Sequence, residues 1–286
     1  MQEGKFSKTA QRVAIRRAAH QLLDNPKVLD DPLALRIIGS EAAAALRTDP
    51  KEHHAFSRAF RAFMAARSRF AEDELARAVE HGANKDGVTQ CVILGAGLDT
   101  FAYRNPHPHL RVFEIDHPAT QAWKREQLQE AGIPIPPSLT FVPVDFEHQT
   151  LANALASSGL NTSAPAFFSW LGVTPYLTRE ACMTTLSVIA KMPPGSGVVF
   201  DFAIDPALLN AGQRQALDAL SKRVAAAGEP FQLFFDPKKL QHELRTLGFH
   251  RTEFLQSAQI NARYFQNRSD GLCVRGGLGH LMSAWV

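Results

Sequence analysis

The residues best placed to do chemistry form Leu94-Gly95-Ala96-Gly97-Leu98-Asp99-Thr100, which continues directly from the apolar run at 91–94. A strand that runs into Gly-x-Gly lets the backbone pass close beneath a nucleotide. By itself that pattern is a weak signal. It gains weight from Glu114 and Asp116, which lie 19 and 21 residues after Gly95 at the end of the next apolar run. A carboxylate there can accept bonds from both ribose hydroxyls while the strand end holds it in place. The plain structural alternative is a tight strand–helix turn followed by a solvated acidic strand end.

A dinucleotide fingerprint wants a third glycine at position 100, where the helix packs closely on the strand and a pyrophosphate sits on the helix N-terminus. Position 100 is Thr, and Asp99 places a negative charge at that N-terminus, which suits the helix dipole but repels phosphate. S-adenosyl-L-methionine has no phosphate and carries a sulfonium cation, so these residues favour it over NAD. Asp145-Phe146, closing the third apolar run, supplies a second polar and aromatic pair. An Asp there can accept from an adenine amino group while the next backbone N–H donates to a ring nitrogen. It would serve equally as the cap of the following helix.

Arg67 is the third feature. Phe56, Phe60, Phe63 and Phe70 recur at spacings of four, three and seven, and Arg67 occupies the remaining place on that stripe. A cation facing the core must find an anion, because an unpaired buried charge is very costly. The α-carboxylate of S-adenosyl-L-methionine would suit it as a bidentate partner, and an internal Asp or Glu is the structural alternative. Arg69 lies off the stripe and reads as solvated.

The eleven histidines offer no clear base. His53-His54 begin the long helix, His107 and His109 lie in a Pro-rich loop, and His117 sits between Asp116 and Pro118, so each reads as a surface or capping residue. His20 is the exception worth following, because the N-terminal helix is placed to fold over the cofactor as a lid. Phe167, Phe168, Trp170, Phe231, Phe234 and Phe235 read as core, with some of them lining an apolar acceptor pocket.

The elements that must hold these residues fall into two stretches. Helical periodicity runs from Thr9 to about Leu23, with Val13, Ala14, Ala18 and Leu22 on one side and Arg12, Arg16 and Arg17 around the other. Asp24-Asn25-Pro26 stops it, Asp31-Pro32 starts a second helix, and a third runs from about Pro50 to His81. From Val88 onward, short apolar runs at 91–94, 111–116, 140–146, 166–173 and 197–202 alternate with helical stretches such as 119–131 and 179–192. That alternation predicts an α/β fold with a mostly parallel sheet and helices on both faces. Beyond Pro206 the pattern predicts helices over about 207–227 and 236–247, then strands at 249–255 and 271–286.

Composition bounds the rest. The 286 residues are 45% hydrophobic and 21% charged, which excludes disordered and low-complexity classes. The three scattered cysteines build neither a disulfide framework nor a metal finger, and a reducing, cytoplasmic compartment fits them best. A net charge of +3 is too mild to predict a nucleic-acid partner. The N-terminal residues lack the apolar stretch of a signal peptide, and no run of about 18 apolar residues offers a membrane span.

Taken together, Ala66-Arg67-Ser68-Arg69-Phe70, the glycine segment with Tyr103-Arg104, Glu114-Ile115-Asp116 and Val144-Asp145-Phe146 resemble the leucine carboxyl methyltransferase type of class I S-adenosyl-L-methionine-dependent methyltransferases. The resemblance covers most of the chain, including Asp30-Asp31-Pro32-Leu33-Ala34, and is nearest to a bacterial O-methyltransferase branch similar to polyketide O-methyltransferases. It implies a Rossmann-like, mostly parallel seven-stranded sheet in one methyltransferase domain spanning 1–286. Within it, 1–85 would be a helical extension or lid and 86–286 the core. It further implies that Arg67 meets the methionine carboxylate, that Gly95, Ala96 and Gly97 line the methionine moiety, that Asp116 meets the ribose, and that Asp145 and Phe146 meet the adenine. Tyr176 matches a family tyrosine at the cofactor rim and is the candidate catalytic residue near the transferred methyl; its structural alternative is a packed ring with its hydroxyl on the backbone. The chain departs from the family at Leu171, where an acidic residue is often found before Gly-Leu-Leu-Ile-Tyr, and has Ile93 where the general class I motif has an acid.

The expected activity is therefore O-methylation of a carboxylate or hydroxyl on a small molecule, with S-adenosyl-L-methionine as cofactor and no metal. An NAD(P)-dependent oxidoreductase and a catalytically silent cofactor-binding module are the alternatives.

Overall fold

Five runs dominated by apolar side chains become adjacent parallel strands because both of their faces are covered. A computed structural model describes residues 7–81, 87–145, 149–226 and 228–286. In it β1 (Gln90–Leu94), β2 (Arg111–Asp116), β3 (Leu139–Pro143), β4 (Phe167–Trp170) and β5 (Gly197–Ile204) are followed by β6 (Phe234–Phe235), β7 (Arg251–Leu255) and β8 (Gly279–Trp285). The main path is β3-β2-β1-β4-β5-β8-β7, with β8 antiparallel to both neighbours, and the two-residue β6 pairs the end of β5. The expected seven strands thus acquire an eighth, and the run at 271–286 narrows to β8. The arrangement is the Rossmann-like α/β fold expected for a class I methyltransferase.

The helices are α1 (Lys8–Leu23), α2 (Ala34–Ile37), α3 (Ser40–Thr48), α4 (Ala55–His81), α5 (Pro118–Glu130), α6 (Leu151–Ser157), α7 (Arg179–Ala190), α8 (Ala211–Ala225), α9 (Pro237–Leu247) and α10 (Ser257–Tyr264). Alternation along β1 sends Cys91 and Ile93 to one core with Phe70 and Leu75 of α4, and Val92 and Leu94 to the other with Cys182, Leu186 and Ile189 of α7. None of these helices is long and apolar enough to cross a membrane among the described residues.

Two features change how the site is supported. The glycine turn leads into a single 3-10 turn (Phe101–Tyr103), and the chain reaches β2 without the crossover helix that the spacing predicts. Pro106 and Pro108 lie in that connection and oppose a helix there. The vacant place against the sheet is taken by α4, which contributes Ala62, Phe63, Ala66 and Phe70 to the same core as β1, β2 and β4. α4 therefore packs as a layer against the sheet. α10 has no counterpart among the expected elements, since its sequence is polar and only Ile260 is buried.

Candidate functional site

β1 pairs β2 on one side and β4 on the other, so the strand order reverses at its C-terminal end, where α/β sheets open a crevice. A cavity of about 850 Å³ opens there. Arg67, Gly95, Ala96, Gly97, Asp116, Asp145 and Tyr176 all line it. Phe146, the remaining expected site residue, lies outside the described residues.

Both glycines are favoured by conformation, and Gly95 by space as well. Gly95 has φ +67°, and a Cβ there would stand 2.4 Å from Val173 Cγ2. Gly97 has φ +46°, and its Cβ would stand 3.0 Å from Ala10 Cβ of α1. The turn is tied to β2 from below. Gly97 N–H donates to Asp116 Oδ2 at 2.6 Å and His117 N–H to Asp116 Oδ1 at 2.7 Å. Burial pushes the Asp116 carboxyl above its ordinary range, and these two N–H bonds hold it back. Each oxygen keeps lone-pair capacity for a further donor.

Glu114 does not share that position. It is fully buried, 2.7 Å from the equally buried Lys124 ammonium, and accepts from the Tyr103 hydroxyl at 3.3 Å. Burial raises its pKa and the Lys124 charge opposes that rise. Of the two acids at the end of β2, only Asp116 reaches the cavity.

Asp99 heads only a single 3-10 turn. With no helix of length behind it, its carboxylate accepts from Phe101 N–H at 2.8 Å and from Arg17 Nη1 at 3.2 Å. Burial would raise its pKa, but the charges of Arg17, Lys124 and Arg104 hold it below the ordinary value. It therefore still presents an anion to the turn, which is unfavourable for a pyrophosphate.

Arg17 is a site residue that helical periodicity places on the outer side of α1. It is only 5% exposed, donating to Leu98 O at 2.8 Å and Thr100 Oγ1 at 3.4 Å beside Asp31. The readable signal is the company of Asp31, Asp99 and Thr100, polar groups around a buried turn that need a cation. Thr9, Ala10, Val13 and Ala14 of the same helix also line the cavity, and Thr9 N–H donates to Glu229 Oε2 at 3.2 Å.

His20 lines no part of it. Its Nδ1 lies 2.8 Å from Asp24 Oδ2, while Nε2 accepts from Val28 N–H at 2.9 Å. It joins α1 to the loop that follows. His117 caps α5, its Nδ1 accepting from Ala119 N–H at 3.2 Å. Arg69 is half exposed and pairs with Asp73. Asp145 is half-buried at the cavity rim, and Thr150 rather than Asp145 caps α6.

Arg67 is 5% exposed and binds Asp201 on β5, with Nη1 2.9 Å from Oδ2. The internal acid considered as an alternative partner is thus present. The guanidinium still borders the cavity, and its Nε has no partner among the described residues. Tyr176 stands nearby in a 3-10 turn (Thr174–Tyr176), its ring 5.4 Å from that of Phe231. Burial pushes its phenol up to about 12 against the opposing charge of Arg67. At neutral pH it keeps its proton.

Comparison with known proteins gives a consistent picture. The family model for leucine carboxyl methyltransferase matches residues 10–190. YktD of Bacillus subtilis (strain 168), provisionally named an S-adenosyl-L-methionine-dependent methyltransferase, is 34% identical over 95% of this chain and 95% of its own. A DUF574 family protein from Streptomyces avermitilis superposes with a TM-score of 0.54 at 16% identity, over 87% of this chain and 94% of its own. A provisionally assigned methyltransferase from Thermobifida fusca YX does so with a TM-score of 0.54 at 15% identity, over 99% and 96%.

Proposed function

The chain belongs to the leucine carboxyl methyltransferase family of S-adenosyl-L-methionine-dependent methyltransferases, and from that premise we propose that it methylates a carboxylate or hydroxyl oxygen of a small molecule. The observation that supports this most is the gathering of Arg67, the glycine turn, Asp116 and Tyr176 around one cavity of about 850 Å³, ample for a cofactor together with an acceptor.

The residues suit the cofactor's parts. The Arg67 guanidinium, which borders the cavity, would meet an α-carboxylate. Gly95, Ala96 and Gly97 form a floor that a side chain at either glycine would obstruct, and they would line the methionine moiety. Asp116, held by two backbone N–H groups, would accept from the ribose hydroxyls. Asp145, with Phe146 after it, would meet the adenine.

When bound, S-adenosyl-L-methionine supplies a methyl carbon already activated by its sulfonium. The protein's part is then to align the acceptor oxygen and exclude water. α1 would act as a cover, since Ala10 lies over Gly97 and Thr9 is tethered to Glu229. Tyr176, protonated at neutral pH, would donate a hydrogen bond to the acceptor rather than take its proton. A carboxylate acceptor, ionised already, needs no base.

Incubating the protein with methyl-labelled S-adenosyl-L-methionine and a small-molecule extract tests this reading. Label released by mild alkali as methanol identifies a carboxyl ester, and alkali-stable label an ether. Absence of transfer from a protein that still binds S-adenosylhomocysteine would point instead to the silent cofactor-binding module.

A further inference from the structure

Leu171 and Gly172 follow the end of β4, and a carboxylate stands beside them one strand away. Trp170 is in register with Phe200, so Asp201 is the next residue on β5. Its two oxygens are divided between two partners. Oδ2 accepts from Arg67 Nη1 at 2.9 Å, and Oδ1 accepts from the backbone N–H of Gly172 at 2.5 Å. The next turn is bound to the same residue, with Thr174 Oγ1 donating to Asp201 O at 2.6 Å.

Gly172 completes the clamp. It has φ +72°, and a Cβ there would lie 2.9 Å from Arg67 Nη2 and 3.0 Å from Nη1. The guanidinium therefore rests against bare backbone whose own N–H is held by Asp201. Arg67 and Gly172 line the cavity, whereas Asp201 stands behind them, 6% exposed. One carboxylate thus fixes both the cation and the surface on which it lies, at the cavity wall. A long side chain held in this way loses less freedom when it binds a ligand.

We infer that Asp201 is the positioning residue for Arg67, orienting its guanidinium for the α-carboxylate of the cofactor's amino-acid end. The inference rests on the cofactor placement proposed above, and two ligands separate the failure of one from the failure of the other. S-adenosylhomocysteine carries the amino-acid end; 5′-methylthioadenosine lacks it.

Calorimetry would compare wild type, Arg67→Ala, Asp201→Asn and the double variant with both ligands. Asp201→Asn is expected to weaken S-adenosylhomocysteine binding by about tenfold or more, the size of a lost charged hydrogen bond. Binding of 5′-methylthioadenosine should change by less than about twofold, and the double variant should be no weaker than Arg67→Ala within the same margin. Equal loss for both ligands, unchanged binding of S-adenosylhomocysteine, or additive effects in the double variant would overturn the inference. If Arg67→Ala itself fails to discriminate between the ligands, the cofactor placement is what fails. Asp201→Ser carries the same comparison should the Asn variant not fold.

Discussion

Thr100 donates its hydroxyl hydrogen to Asp31 at 2.6 Å, joining the glycine turn to the loop between α1 and α2. Asp31 is fully buried, with Arg17 at 3.6 Å and Arg104 at 3.5 Å on either side. Where a dinucleotide fold would place a third glycine, this chain therefore has a hydroxyl that fastens the loop after α1 to the glycine turn.

Replacing Thr100 by Val removes that donor while keeping the shape. The expected loss is about 1–3 kcal/mol of stability, because a buried carboxylate loses one of its partners. Urea unfolding of the two proteins measures it, and equal midpoints would mean that the bond has no such role.

The neighbouring clamp makes a pH prediction. Asp24 accepts from Arg61 Nε at 2.7 Å and Nη2 at 2.8 Å, with His20 at 2.8 Å and Glu52 on the other side of Arg61. Burial opposes ionisation of Asp24, but the bonds and charges of Arg61 and His20 prevail, leaving its pKa below 3.8. A carboxyl depressed in this way stabilises the fold above its unfolded pKa, and the stabilisation is lost as pH falls through the folded value. Asp24→Asn should therefore cost about 1.5–3 kcal/mol at neutral pH, the size of a lost charged hydrogen bond, with Glu52 left as the anion beside Arg61. The gap to wild type should persist down to about pH 4 and narrow below it. A gap that widens with acid would contradict this assignment.

Gly95 offers a steric test with a built-in rescue. Gly95→Ala should destabilise by about 1–3 kcal/mol through its clash with Val173 and its positive φ. Adding Val173→Ala should recover the clash but not the backbone strain, so thermal unfolding of the double variant should fall between the single variant and wild type.

Tyr176 makes a kinetic prediction. A phenol with its pKa near 12 does not titrate in the working range. Tyr176→Phe should lower kcat by the equivalent of about 0.5–1.5 kcal/mol, one neutral hydrogen bond. The shape of the kcat/KM profile across neutral pH should not change. Loss of an acidic limb in the variant would instead mark Tyr176 as a proton acceptor.

The parts of this fold legible in the sequence are those in which one residue type answers one physical demand. β1 to β5 are mainly apolar because both faces are covered, and Asp116 is found by its spacing from Gly95. Residues whose role depends on a distant partner were less visible. Arg17 looks like the solvated side of α1 until the glycine turn is seen beneath it. Asp201 sits in the otherwise apolar run of β5 as an acid needing a cation, and Arg67 sits in an apolar stripe as a cation needing an acid. Each signal was present, but the sheet register and the place of α4 were needed to join them. The missing helix after Thr100 was legible in Pro106 and Pro108, against the stronger expectation created by the glycine pattern.

The central claim, that the cavity at the end of β1 holds the cofactor through Asp116 and Arg67, is tested most directly by calorimetric titration of S-adenosylhomocysteine into wild type, Asp116→Ala and Arg67→Ala. The prediction is one equivalent bound by wild type, and binding weaker by about 1.5–3 kcal/mol in each variant. Equal affinity in all three proteins would contradict it.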